Sequence, residues 1–165
     1  LKDYAHMMHA TPHAEAAARF QSKVRDVSEF LMELGPVKPT HPLRVKATYH
    51  DACHLRHAQQ VFKQPRALLE MIPGLELVPL PESELCCGAA GSYNLTQPEM
   101  ADRLGSRKTS NIAATGAKAV FTGNVGCLMQ ITRHLKAIDP TSWCGHPVDA
   151  LWASYSGELP EGLKG

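Results

Sequence analysis

Four of the five cysteines in this 165-residue chain, Cys53, Cys86, Cys87 and Cys127, place the hardest constraint on its fold. Thirty-two residues separate Cys53 from Cys86, and thirty-nine separate Cys87 from Cys127. No finger-like loop spans such stretches, so thiols that act together here must be converged by a folded scaffold. Each lies in a short loop that follows a strand-like segment, and a metal or metal-sulfur centre needs equivalent loop positions of this kind.

The segments between the cysteines alternate in type. Val45, Ala47 and Tyr49 alternate with polar neighbours and predict a short strand. The loop His50-Asp51-Ala52-Cys53 follows, then a helix through 65–71 that ends at Pro73-Gly74. A second strand over 75–80 leads into a glycine-bearing loop, 82–93, that holds Cys86 and Cys87. Thr96 and Glu99 have the spacing of a capping box and open a long helix with Met100, Leu104 and Ile112 turned inward, closed by Gly116. Residues 119–122 read as a third strand, and 123–127 turn into a helix containing Leu128, Ile131 and Leu135. A last extended piece at Trp143 and Cys144 runs through His146-Pro147 into a helix with Val148, Leu151 and Trp152, both tryptophans being expected in the core. Strand, loop and helix in repetition predict an α/β fold: a mostly parallel four-stranded sheet flanked by helices, Rossmann-like and three-layered, with right-handed crossovers. Ligands of such sheets bind outside the carboxyl ends of the strands. Cys53, Cys86, Cys87, Cys127 and His146 all fall there.

Ahead of this alternation, Phe20, Val24, Val27, Leu31 and Leu34 recur at spacings of four and three and predict one N-terminal amphipathic helix, closed by Gly35-Pro36. Its stripe is either internal packing or a docking face. The division expected is 1–42 for that helix and a proline-rich linker, 43–157 for the cysteine-bearing domain, and 158–165 for a tail. Seventeen basic against sixteen acidic residues leave no electrostatic footprint for nucleic acid. No apolar run reaches the length of a bilayer span, so no transmembrane segment is expected. The start at Leu1, without an initiator methionine, reads as part of a longer polypeptide or a processed chain. An odd cysteine count without a secretory signal argues for a reducing compartment, the cytoplasm.

Thiolates at helix starts are stabilised by unpaired amide donors and the helix dipole, the setting expected for Cys53 and Cys127. Glycines in Cys86-Cys87-Gly88-Ala89-Ala90-Gly91 let backbone amides approach sulfide or thiolate. Structural zinc normally uses two short chelating pairs, which are missing here. Adjacent cysteines suit a polynuclear iron-sulfur assembly better, because it offers the two sulfurs different iron atoms. A single cysteine would be read simply as a buried thiol; four at matching positions argue against that. His50 and His54, on either side of Cys53, either donate hydrogen bonds near the sulfurs or serve structure. His146 either closes the site or caps the last helix. Cys144, within the extended piece, reads as a core thiol.

The order C-x32-CCG followed by Asn124-x2-Cys127, with His50-Asp51-Ala52-Cys53 before it and Gly88-Ala89-Ala90-Gly91-Ser92-Tyr93 within it, resembles the cysteine-rich CCG domain of the B-type subunits of heterodisulfide reductases and their relatives. The stretches at 93–99, 122–131 and 145–149 are most similar to the C-terminal domain of the iron-sulfur subunit of glycolate oxidase. The resemblance implies an electron-transfer subunit that receives electrons from flavin-containing oxidase subunits, with the rest of its own polypeptide upstream, in the cytoplasm or held at the periphery of the inner membrane by its complex. It implies that Cys53, Cys86, Cys87 and Cys127 ligate an iron-sulfur cluster, expected as 4Fe-4S, with zinc as an occupant of the isolated domain. His50, His54, Gly88, Asn124 and His146 would surround those ligands. One departure stands out: the family motif ends C-x2-C, and Asn124 takes the place of its first cysteine. Two further readings stay open, a structural zinc-binding domain for subunit interaction, and a thiol redox domain acting through Cys86 and Cys87.

Overall fold

The structure is a computed structural model that describes residues 1–160; most of the expected tail, 158–165, lies outside the described residues. The chain forms two compact units, Leu1–Pro36 and a larger one from Val37 onward.

The first unit holds three helices, α1 (Tyr4–Met7), α2 (Ala14–Lys23) and α3 (Val27–Leu34). The stripe expected on one helix is therefore divided between two. Asp26 ends the run: its carboxylate accepts from Ser28 N while Glu29 accepts from Asp26 N, a capping box that starts a new helix. Periodicity of apolar residues runs straight through such a break. Ala17 is buried, whereas Phe20, Val27 and Leu34 are exposed.

The second unit carries a four-stranded, wholly parallel sheet of order β2-β1-β3-β4, with β1 Lys46–His50, β2 Glu76–Val78, β3 Ala119–Thr122 and β4 Trp143–Gly145. The central strands are almost wholly buried, as a sheet covered on both faces requires. Helices α4 (Lys63–Glu70), α5 (Tyr93–Thr96), α6 (Pro98–Ala114), α7 (Val125–Ile138) and α8 (Pro147–Ser156) complete the unit. Of these, α4 pairs with α8 and α6 with α7. The proline-rich stretch is anchored: His41 N donates to Ser154 O at 2.9 Å, and the Tyr155 hydroxyl donates to the Val37 carbonyl.

Three local expectations are corrected. The Thr96–Glu99 box does not form; Thr96 ends α5, and Pro98, at the first helical position of α6, starts that helix after Gln97. The inward face of α6 is Ala101, Gly105, Lys108, Thr109 and Ile112, with Met100 exposed. Trp152 is 64% exposed rather than in the core, while Trp143 packs edge-on to Phe121 at 4.9 Å.

The chain runs from β1 out to β2 and back across to β3, so the order reverses between β1 and β3. A crevice opens at the carboxyl edge of such a reversal. His50 ends β1, and its register partner Thr122 ends β3.

Candidate metal centre

At that edge a cleft of about 540 Å³ is lined by Cys53, Cys86, Cys87 and Cys127 together with His50, His54 and Asn124. Cys53 follows β1 and immediately precedes a single π-helical turn, His54–Ala58, which the periodicity of the sequence does not signal. Cys86 and Cys87 come from the loop after β2, and Cys127 from the first turn of α7. Cys53 and Cys86 are half-buried; Cys87 and Cys127 are buried. All five cysteines are free.

The donor atoms of His50, Cys87 and Cys127 form the tightest group, all within 4.8 Å of one another and all three buried. Cys53 and Cys86 line the same cleft outside this trio. The Cys127 thiol beside it, helped by burial, pushes the Cys87 thiol up to about 11. The Cys87 thiol and burial push Cys86 upward as well, against the hydrogen bond that Gly88 N donates to its sulfur at 3.3 Å. Neighbouring sulfurs cannot all carry charge unless a cation joins them, which is the condition a thiolate-bound metal meets.

Glycine geometry holds the CCG loop in place. Gly88 has φ +90°, and a Cβ there would lie 2.4 Å from the Ala101 carbonyl oxygen of α6. Only glycine lets the loop lie so close to the helix while its amide faces the Cys86 sulfur. On the other side of the cleft, the Asn124 side chain caps α7 by accepting from Cys127 N at 3.2 Å. The residue standing where a further thiol was expected therefore orients the helix turn that carries Cys127.

His146 is not among the residues lining the cleft. Its Nδ1 accepts from Val148 N at 3.1 Å and Asp149 accepts from its amide, so the structure shows the capping role. His54 lines the cleft but is exposed. Cys144, on β4, packs against the core cluster, and burial pushes its thiol up to about 11.

Sequence reasoning missed two buried charged residues. Asp51 accepts from Arg66 through both carboxylate oxygens at 2.7 Å, from Arg56 at 3.2 Å and from the Ser83 hydroxyl at 2.8 Å, and its amide donates to Ser83 O. It thereby ties the Cys53 loop to the turn leading into Cys86 and Cys87. Burial pushes its carboxyl up, but the bonds from Arg66 and Ser83 outweigh that and hold it below its ordinary value. Lys108 is fully buried; its ammonium donates to the Glu82 carbonyl and reaches Ser83 O at 3.5 Å. Its place on the inward stripe of α6, four residues before Ile112, was the available signal. Burial, then the Lys108 charge, lowers the His50 imidazole to about 4, so the ring is neutral near pH 7. Neither ring nitrogen of His50 makes a hydrogen bond of ordinary geometry, and the interaction of the Ser83 backbone with the ring only partly opposes the downward shift.

Comparison with known proteins gives the family of the chain. The family model described as "CCG: Cysteine-rich domain" matches residues 47–132, from β1 through the first half of α7. The chain is 36% identical over 134 residues to a probable glycolate oxidase iron-sulfur subunit of Bacillus subtilis, covering 79% of this chain and 30% of that protein. It is 34% identical over 133 residues to lactate utilization protein A of Geobacillus kaustophilus, covering 79% of this chain and 56% of that one. Against a CoM/CoB fumarate reductase subunit of Methanothermobacter marburgensis the identity is 37% over 113 residues, covering 68% and 23%. The matched region is thus only part of each relative's length.

Proposed function

The chain belongs to the cysteine-rich CCG domain family, and on that footing we propose that it is the iron-sulfur, electron-transferring part of a 2-hydroxy-acid oxidase complex of the glycolate or lactate type. One observation carries the reading: Cys53, Cys86, Cys87 and Cys127, from three separate segments that each follow a strand, meet around one cleft. Four thiolates are the donor set of a four-iron cluster. The cleft, at about 540 Å³, has room for a polynuclear group and far exceeds the ~30 Å³ that one water occupies in the liquid. Bound there, such a cluster would accept and release single electrons.

The chain's own residues would hold that centre in position. Gly88 N directs a donor at the Cys86 sulfur, Asn124 sets the turn that carries Cys127, and Asp51 fixes the loops on either side. Lys108 places a buried positive charge within reach of Cys87, offsetting part of the charge of the thiolates. The half-burial of Cys53 and Cys86, and a cleft-side Met129 that is 70% exposed, leave this edge open to a partner. A flavin-containing subunit docking there would oxidise the hydroxy acid and deliver electrons to the cleft. The chain alone would not turn over glycolate. None of the described helices is long and apolar enough to cross a membrane; a cytoplasmic position, peripheral to the inner membrane through the complex, is part of the proposal.

Anaerobic purification with iron and acid-labile sulfide quantitation tests the reading. About four irons and four sulfides per chain, with visible absorption, is the expected result. A colourless chain holding one zinc would instead support a structural zinc domain that stiffens partner-facing loops, the reading that the tight His50-Cys87-Cys127 trio favours. A Cys127→Ser chain that keeps both metal and spectrum overturns the ligand assignment.

A further inference from the structure

We infer that His50 is itself a metal ligand of this cleft, its imidazole joining the Cys87 and Cys127 sulfurs at the metal centre. This rests on the metal centre proposed above but goes beyond its four thiolates. Three observations converge on it. The donor atoms of His50, Cys87 and Cys127 lie within 4.8 Å of one another, a spread that ligands of a single ion span. All three side chains are buried at the floor of the cleft. Both ring nitrogens of His50 are buried and neither makes a hydrogen bond of ordinary geometry, although a neutral imidazole carries one donor and one acceptor and the Ser83 backbone lies within reach of the ring.

Burying both of those groups unsatisfied is unfavourable, and buried polar atoms in folded proteins are almost always paired. A metal on one nitrogen satisfies the lone pair. The second nitrogen of a ligating imidazole is normally hydrogen-bonded and so fixes the ring. Here the neighbour in register on β3 is Thr122, whose hydroxyl is buried without a partner. The Ser83 backbone, whose interaction with the ring raises the basicity of His50, is the partner in reach of that second nitrogen. His54, the other histidine lining the cleft, is exposed and makes no such demand.

The test uses the full chain with nitrogen-15 histidine, reconstituted anaerobically with iron and sulfide, reduced, and probed by pulsed electron paramagnetic resonance. A histidine-nitrogen coupling of directly bonded strength is expected in the wild type and in His54→Gln, and its loss in His50→Gln. If His50→Gln fails to fold, survival of the coupling in His54→Gln assigns it to His50, and its loss there overturns the inference. An intact cluster with only weak nitrogen couplings also overturns it, while leaving the iron-sulfur function in place. If no cluster assembles, the proposed function fails and cobalt(II) decides the ligand question. Cobalt-thiolate absorption with paramagnetically shifted His50 ring protons upholds the ligand; the same absorption with unshifted rings removes it.

Discussion

Replacing Gly88 with alanine should be among the most damaging single-methyl additions this fold can receive, and the structure gives its size. At φ +90° an L side chain is strained, costing about 1–2 kcal/mol. The new Cβ would stand 2.4 Å from the Ala101 carbonyl oxygen and 3.0 Å from its Cα. Those are backbone atoms in the interior of α6, which cannot rotate aside as a side-chain tip would. Forcing a methylene into a filled space adds about 1–3 kcal/mol. Alanine also restricts the unfolded chain, which returns about 0.4–1 kcal/mol. The net loss is then about 1–5 kcal/mol, centred near 3.

Gly91 supplies an internal control. It too has positive φ, +65°, but a Cβ there meets nothing within 4 Å. Gly91→Ala therefore keeps the conformational penalty without the collision, and should cost about 1 kcal/mol. Urea unfolding of the metal-free chain would read both, as a lowered midpoint at an unchanged slope. The difference between the two variants isolates the contact with α6. Because Gly88 N donates to the Cys86 sulfur, metal bound per chain should fall in Gly88→Ala and hold in Gly91→Ala. Equal stability losses in the two variants would refute the close approach of the CCG loop to α6 as the reason for this glycine.

Asp51→Asn removes a buried charge from two arginines. Because Arg66 and Arg56 remain about 30% exposed and water takes up part of their charge, the loss near pH 7 should be about 2–3 kcal/mol, below the 3–5 kcal/mol of a wholly buried pair. The Asp51 carboxyl is held below its ordinary value of 3.8, so its stabilisation is complete above that pH and is lost as pH falls through the lower native value. Unfolding curves of wild type and Asp51→Asn should accordingly converge in acid, and a gap that stays constant as pH falls below 3.8 would contradict the pairing. Asn124→Ala should cost about 1 kcal/mol through loss of the α7 cap, whereas Asn124→Asp, which keeps the acceptor, should stay near wild type in the same assay.

What could be read in advance, and what could not, follows from the range of the interactions involved. The parallel sheet was legible because alternation of period and loop chemistry is local, and Ala119–Thr122 stands where four apolar and β-branched residues between turn signals placed it. The convergence of the cysteines followed from the same alternation, since parallel strands put all their following loops on one edge. Caps were legible only in competition. Asp26 and Glu29 form the capping box that splits the N-terminal stripe, while Thr96 and Glu99, with equivalent spacing, form none. Pro98 decides the second case: it disfavours helical backbone at Gln97 and is itself suited to the first helical position, so the helix starts past the would-be cap. The buried charges were least legible. Lys108 lies on the inward stripe of α6 because the Glu82 carbonyl, twenty-six residues back, meets its ammonium. Asp51 is buried because Arg66 and Ser83 arrive from two other segments. A spacing pattern scores such residues by their own polarity, whereas their burial is decided by partners that only the fold assembles. The same holds for His50, which only the fold sets beside Cys87 and Cys127. Residues of this kind collect at the strand ends where the cysteines meet, because that is where loops from distant parts of the chain first come into contact.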